Sequence, residues 1–411
     1  MVRIMNKNNV APEIRISGFM DSINKYKLAD VVDRVRSYPL SRNVETNDDT
    51  GYRYVHYGDI HTKVANIIDL NSNLPNIECG NYDLLKKGDI ILADASEDYQ
   101  GIATPSIVNV ETPYKLVAGL HTIAFRPKKV DSLYLYYLFN SKNFRKYGYR
   151  VGTGMKVFGI SVSNVMKYEG LFPSVAEQSK IGLLFKKIDE TITLQQQLLT
   201  DYKQFKKALL QQMFPQKGKT VPKIRFTGFN EDWKKERLSK YLNEISDKST
   251  VENQHTILSS TTTGIEIRDG RVSGVSNLGY KIIKKGNVVL SPQNLWMGNI
   301  NYNKEFEIGL VSPSYKTFSV ENAEECFLVY YLKLPKMIYS YGQASVQGAS
   351  VVRRNLDIDL FNQIVVLMPN REEQEKIGNF FKQLDETIEG HEQKLAIYQE
   401  LKKALLQRMF V

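Results

Sequence analysis

Apolar residues recur at helical spacing along two unusually long stretches of the chain, residues 177–214 and 373–410. In the first, Ile181, Ile188, Gln195, Tyr202 and Leu209 fall seven apart. Leu184, Thr191, Leu198, Phe205 and Gln212 form a parallel row, and Phe185, Ile192, Leu199 and Met213 widen the stripe. In the second stretch the leading row is Ile377, Leu384, His391, Tyr398 and Leu405, widened by Phe381, Ile388, Leu395 and Met409. Such a stripe is broader than a two-stranded seam and suits helices that pair with each other and also touch a further partner. About 39 residues at ~1.5 Å each make a rod of roughly 58 Å, well beyond the ordinary ~11-residue globular helix. The pattern predicts two long antiparallel helices forming a coiled coil, with the two leading rows as its pairing core. The alternative is that each helix packs only on its own domain. Gln195 and His391 are the polar middle members of their rows, so an antiparallel pair would bring them together in the central layer, where polar residues fix register. Ser174 and Glu177 predict a capping box at the first helix start, which Asn370 and Glu373 nearly repeat. Pro215 marks the first helix end.

The two stretches are one segment written twice. Aligned without a gap at an offset of 196, 22 of 38 positions are identical. A second repeat precedes each half: PEIRISGF at Pro12–Phe19 and PKIRFTGF at Pro222–Phe229, 210 residues apart. The body of the second unit is therefore 14 residues shorter. Within the bodies, Lys86-Lys87-Gly88-Asp89 matches Lys284-Lys285-Gly286-Asn287, and Tyr136-Tyr137-Leu138 matches Tyr330-Tyr331-Leu332. A period this long means two domains, since solenoid repeats run roughly 20–50 residues.

The bodies mix short β runs with one Tyr-rich helix. Tyr52–Tyr57, Asp89–Ala93 and Leu120–Phe125 read as strands in the first, as do Val288–Leu290, Gly309–Val311 and Thr317–Val320 in the second. Leu133–Tyr147 and Cys326–Tyr341 read as helices. The fold class is α+β: two α/β bodies related by a tandem repeat and joined by the long helices.

A formal charge of +10 and a pI near 9.2 suit a polyanionic partner. The loops hold candidate contacts. The first body offers Arg53, Tyr54, His56, Lys63 and Asn66, then Ser96, Tyr99 and Gln100. The second offers Gln293, Asn294, Trp296, Asn299 and Asn301. Lys156 and Gln347 stand beside Gly152-Thr153-Gly154 and Gly348, which read as tight turns. Asn and Gln can pair bidentately with adenine, Arg and Lys with guanine, and aromatic rings can wedge or stack. As single residues, each is equally at home in an ordinary polar loop.

No catalytic constellation is present. The chain lacks a Walker sequence, [ND]PP[YF], GxSxG and HxxxH, and its five His residues are scattered along the sequence. Two other readings stay open: a nuclease or methyltransferase component with its own activity, against which the absent motifs count, and a coiled-coil scaffold unconnected to DNA, against which the basic balance and the divergent bodies count. Cys79 and Cys326 lie in no metal-like spacing and read as small core residues. Residues 1–19 have no apolar leader core, and no apolar run approaches the ~20 residues of a membrane span. A cytoplasmic location with no membrane contact is expected.

The helical repeat with KIGxxFKxxDETI and KKALLQxMF, and the PxIRFxGF lead-in, resemble specificity (S) subunits of Type I restriction-modification systems along essentially the whole chain. Phe229 is followed by Asn-Glu-Asp-Trp233, as is usual in the family, but Phe19 by Met-Asp-Ser-Ile23, so the first lead-in is expected to dock differently. The resemblance implies a lead-in at 1–19, target-recognition domains at 20–173 and 230–369, repeated helices at 174–214 and 370–411, and a linker with second lead-in at 215–229. It implies a non-catalytic subunit in which each domain reads half of a bipartite, asymmetric site on double-stranded DNA. The helices would set the spacer and bind two modification (M) subunits, which hold S-adenosylmethionine and methylate adenine. Restriction (R) subunits, using ATP and Mg, would cleave. No cofactor or metal is expected on this chain itself.

Overall fold

A computed structural model describes residues 2–4, 12–268, 276–350 and 353–410. The chain folds as two units, residues 1–196 with 393–411, and residues 197–392. The long helices, Val175–Gln212 and Arg371–Met409, are each shared between the units.

The first unit carries two five-stranded sheets. One orders Val32–Val35, Thr122–Pro127, Ile90–Ala93, Pro105–Val108 and Ile67–Ile68. The other orders Glu45–Thr46, Asn76–Ile77, Tyr52–Val55, Lys115–Ala118 and Leu84–Leu85. Ile90–Ala93 is buried at every position, which explains its unbroken apolar run. Where one helix was expected over Leu133–Tyr147 there are two, Ser132–Asn140 and Lys142–Val151. Ser141 ends the first and caps the second, its Oγ accepting from the Phe144 amide. The core joins these helices to Ile181, Phe185 and Ile188 of the first long helix and to Leu405, Met409 and Phe410.

The second unit repeats the plan with four strands per sheet. One sheet orders Leu242–Ile245, Lys316–Val320, Val288–Leu290 and Ile300–Tyr302. The other orders Ile265–Ile267, Ile257–Ser260, Ile308–Val311 and Lys281–Lys284. The helix expected over Cys326–Tyr341 is again two, Glu325–Leu332 and Pro335–Gln343, because Pro335 can begin a helix but not continue one. Leu209, Met213 and Phe214 share a core with Ile377, Phe381, Leu384 and Ile388.

Residues that recur in the sequence do the same work in both units. Arg15 Nε donates to Glu177 Oε1 at 3.1 Å, and Arg225 Nε to Glu373 Oε1 at 2.7 Å; both carboxylates are buried. Both lead-in arginines thus dock alike, contrary to expectation; the difference begins afterwards, where Trp233 is buried and its counterpart Ile23 only half-buried. The pairing holds both guanidinium groups above their ordinary value, and removing one partner of such a buried pair costs about 3–5 kcal/mol. Gln178 accepts from the Asp131 amide and donates to the Pro173 carbonyl, as Gln374 does with Glu324 and Pro369. Within the first unit Asp189 accepts from Tyr137 and pairs with Lys402 at 2.5 Å. Within the second, Asp385 accepts from Tyr330 and pairs with Lys206. Tyr137 therefore corresponds to Tyr330, one residue off the alignment read from the sequence.

In each unit the long helices run antiparallel, as the 203–392 and 206–385 pairs show for the second. In the second unit His391 stacks on Tyr202, with ring centroids 5.2 Å apart. The capping expectation also divides. Asn370 Oδ1 accepts from the Glu373 amide at 2.9 Å, whereas Ser174 Oγ is buried without a hydrogen-bond partner among the described residues, and Glu177 serves Arg15 instead. Cys79, expected in the core, is exposed.

Candidate nucleic-acid interface

The Lys-Lys-Gly turns place one loop in each unit. Gly88 and Gly286 take φ of +91° and +92°, and Lys86 and Lys284 donate their amides to Asp89 and Asn287 at 2.8 and 2.7 Å. The strand that follows each turn, Ile90–Ala93 or Val288–Leu290, runs directly into the loop.

In the first unit the loop ends in a tight turn, Tyr99–Gly101, capped by Asp98. The Tyr99 ring lies 5.0 Å from Tyr149 and 5.3 Å from Phe158. Ala95 and Ser96 pair with Gly159 and Phe158 of a hairpin closed at Thr153 and Gly159. Arg145 donates to the Gln100 carbonyl. Loop, helix Lys142–Val151 and hairpin thus form one surface, bringing together the predicted Tyr99, Gln100 and Lys156, all exposed. Ser96 is in the same place but buried. Tyr149, Phe158, Arg145 and Arg150 belong to the surface and were not singled out from the sequence; the basic, aromatic run KNFRKYGYR was the available signal.

The other first-body candidates lie elsewhere. Tyr54 is wholly buried, its hydroxyl donating to Glu45 at 2.7 Å, so it has no surface to offer. His56 is buried as a helix cap, accepting from the Gly58 amide at 3.1 Å. Arg53 lies 4.4 Å over the Tyr114 ring. Lys63 is exposed at a φ of +64°, and Asn66 accepts from the Tyr136 hydroxyl. The histidines that are scattered in sequence partly gather in space: His56, His61 and His121 surround Tyr57, with centroids 4.5, 5.9 and 5.3 Å away. Two of them tether the loop, His61 to the Ala95 carbonyl at 2.9 Å and His121 to Asp94 at 3.1 Å. Burial holds the Asp94 carboxyl above its usual range. No group of His, Cys, Asp and Glu among the described residues is arranged to hold a metal ion.

The second unit builds its surface from the equivalent pieces. Asn294 precedes the turn Leu295–Met297, which Gly298 ends at a φ of +87°. Trp296 lies beneath Arg354, 4.9 Å from ring centroid to guanidinium carbon, and Gln293 is exposed. Arg354 belongs to this surface and was not singled out from the sequence. Asn299 and Asn301 are buried rather than presented: Asn299 accepts from Ser260 Oγ at 2.8 Å, and Asn301 donates to that oxygen at 2.7 Å. Lys333 completes the network, donating to Asn301 Oδ1 at 2.8 Å and to the Gly298 carbonyl at 3.0 Å, and burial pushes its pKa down to about 8. A cleft of about 1420 Å³ opens beside it, lined among others by Lys206, Tyr302, Tyr330 and Lys336. The side chain of Gln347 lies outside the described residues, and Gly348, read as a turn, sits within the strand Ser345–Ser350.

Residues 20–204 and 216–399 each match a family model described as the Type I restriction modification DNA specificity domain. The fold is similar to the crystal structure of a Type-I restriction-modification system S subunit from M. genitalium, with a TM-score of 0.58 at 14% identity, covering 98% of this chain and 99% of that one. An HsdS subunit from Thermoanaerobacter tengcongensis is similar with a TM-score of 0.48 at 16% identity, covering 93% and 95%. At such identity the first likeness is one of fold. No curated protein matches the sequence. No helix among the described residues is long and apolar enough to cross a membrane.

Proposed function

The chain belongs to the Type I restriction-modification DNA specificity family, and from that premise we propose that each unit reads one half of a bipartite, asymmetric site on double-stranded DNA. Residues 20–173 and 230–369 are the target-recognition domains. The paired helices set the unread spacer and dock two modification subunits. Those subunits bring S-adenosylmethionine and methylate adenine, restriction subunits bring ATP-driven cleavage, and this chain supplies selection without chemistry of its own. A 38-residue helix spans ~57 Å, the rise of about 17 base pairs, ample for separating two half-sites.

One observation carries the reading. The two units share a framework down to individual hydrogen bonds, yet present different residues at the same place. Tyr99, Gln100 and Lys156 occupy the loop and hairpin of the first, and Gln293, Trp296 and Arg354 those of the second. A common framework with divergent polar and aromatic tips is what separate readout of two unlike sequences requires, since base edges are distinguished by donor and acceptor pattern. The buried Tyr54, His56, Ser96, Asn299 and Asn301 support the loops rather than touch bases.

Exchange of residues 20–173 for those of a family member with another specificity tests this in a host that carries the modification subunit. Methylome sequencing should show one half-site replaced, with the other half and the spacing kept. Replacement of both halves would refute independent reading.

A further inference from the structure

The hairpin of the first unit ends in Gly154-Met155-Lys156-Val157, and its apolar residues point away from any core. Met155 is 94% exposed and Val157 58% exposed. The turn is nevertheless firmly built. Thr153 and Gly159 exchange backbone hydrogen bonds at 2.9 and 2.7 Å. Gly154 takes a φ of +135°, and a Cβ there would run into the Val157 backbone, so no other residue fits. Behind the tip, Phe158 packs edge-on against Tyr99. The preceding helix, Lys142–Val151, exposes Lys142, Lys146 and Arg150 and has no acidic residue. A held apolar tip beside a helix whose charged residues are all basic fits a partner that is anionic outside and apolar between its layers.

We propose that Met155 is an apolar wedge that enters a groove of double-stranded DNA and partly unstacks one base step in the first half-site. Lys156 and the helix cations hold the flanking phosphates. Wedges of this kind act by trading stacking for closer wrapping. The unbranched, polarisable methionine side chain adapts to such a gap, and the pinned turn spares the ordering cost of a loose loop. The inference rests on the DNA-reading function proposed above and adds a specificity-determining residue to it.

The test uses the full chain in complex with its modification subunits, on duplexes of the methylome-defined site. Fluorescent analogues, 2-aminopurine for adenine and pyrrolocytosine for cytosine, are placed in turn along the first half-site. With the native chain, one step should brighten besides the adenine turned out for methylation. Met155→Ala should abolish that brightening and weaken binding about tenfold, within the range of losing one base-pair contact. Met155→Leu should keep both. Lys156→Ala should instead weaken all duplexes alike and lower the salt slope by about 1. Unchanged brightening and affinity in Met155→Ala, with cognate still preferred over scrambled duplex, would overturn the wedge and leave the DNA reading intact. No preference for cognate duplex by the native complex would overturn the DNA reading itself, and the wedge with it.

Discussion

His56 is buried at the start of a short helix, and burial, aided by the nearby Arg42 charge, holds its imidazole below the ordinary histidine value. Between that lowered pKa and about 6.5 the unfolded chain binds more protons than the folded one, so stability falls as pH drops below about 6.5. His56→Asn keeps a helix-capping side chain and removes the titration. Urea unfolding followed from pH 7 to 5 should show the native first unit losing stability faster than the variant; equal slopes would exclude this histidine. The same residue shows where sequence reading reached its limit. Arg53, Tyr54, His56 and Ser96 have the chemistry of base readers, as do Asn299 and Asn301. A polar side chain that faces a groove and one that is satisfied inside a network are the same letters. Only the partners separate them: Glu45 for Tyr54, Ser260 for the two asparagines. The loops after the Lys-Lys-Gly turns were legible as places, because a glycine turn and the β run following it are local features.

At the scale of elements, periodicity disclosed the long helices but not their register. A heptad stripe says which face is buried and leaves the partner's level open. The contacts that set the level, Lys206 with Asp385 and Lys402 with Asp189, are long-range and became meaningful only in three dimensions. Glycines of the long helices carry a similar message. A Cβ on Gly182 would lie 2.6 Å from Leu133 Cβ and 2.9 Å from the Tyr134 amide nitrogen, while one on Gly390, also in a long helix, would meet nothing within 4 Å. Alanine gains up to ~1 kcal/mol of helix propensity at either place, but overpacking costs roughly 1–3 kcal/mol. Gly182→Ala should therefore lower the melting temperature and Gly390→Ala raise it slightly. Calorimetry of the two variants checks this; a stabilised Gly182→Ala would mean the helices yield at that contact.

For the molecule as a whole, the repeat in the sequence and the folded unit in space are different cuts of one chain. The internal likeness announced two domains of one plan. It was silent about residues 393–411 completing the first, because helix identity says nothing of which body a helix half packs on. Deleting residues 393–411 should unfold the first unit and spare residues 197–392. It removes Leu405, Met409 and Phe410 from that core, at a cost on the order of 2–5 kcal/mol per large side chain, against a domain stability of about 5–15 kcal/mol. Hydrogen-exchange protection lost from the second unit instead would contradict this division. The shared helices also impose a timetable on synthesis. Residues 197–392 are all present before residue 393 is made, so the later domain can close first. The earlier one must wait for a further stretch of some 200 residues, roughly 10–40 s at ordinary elongation rates, with Ile181, Phe185 and Tyr137 still lacking their cover. During that interval, the half-built first domain is the part of the nascent chain most in need of a chaperone.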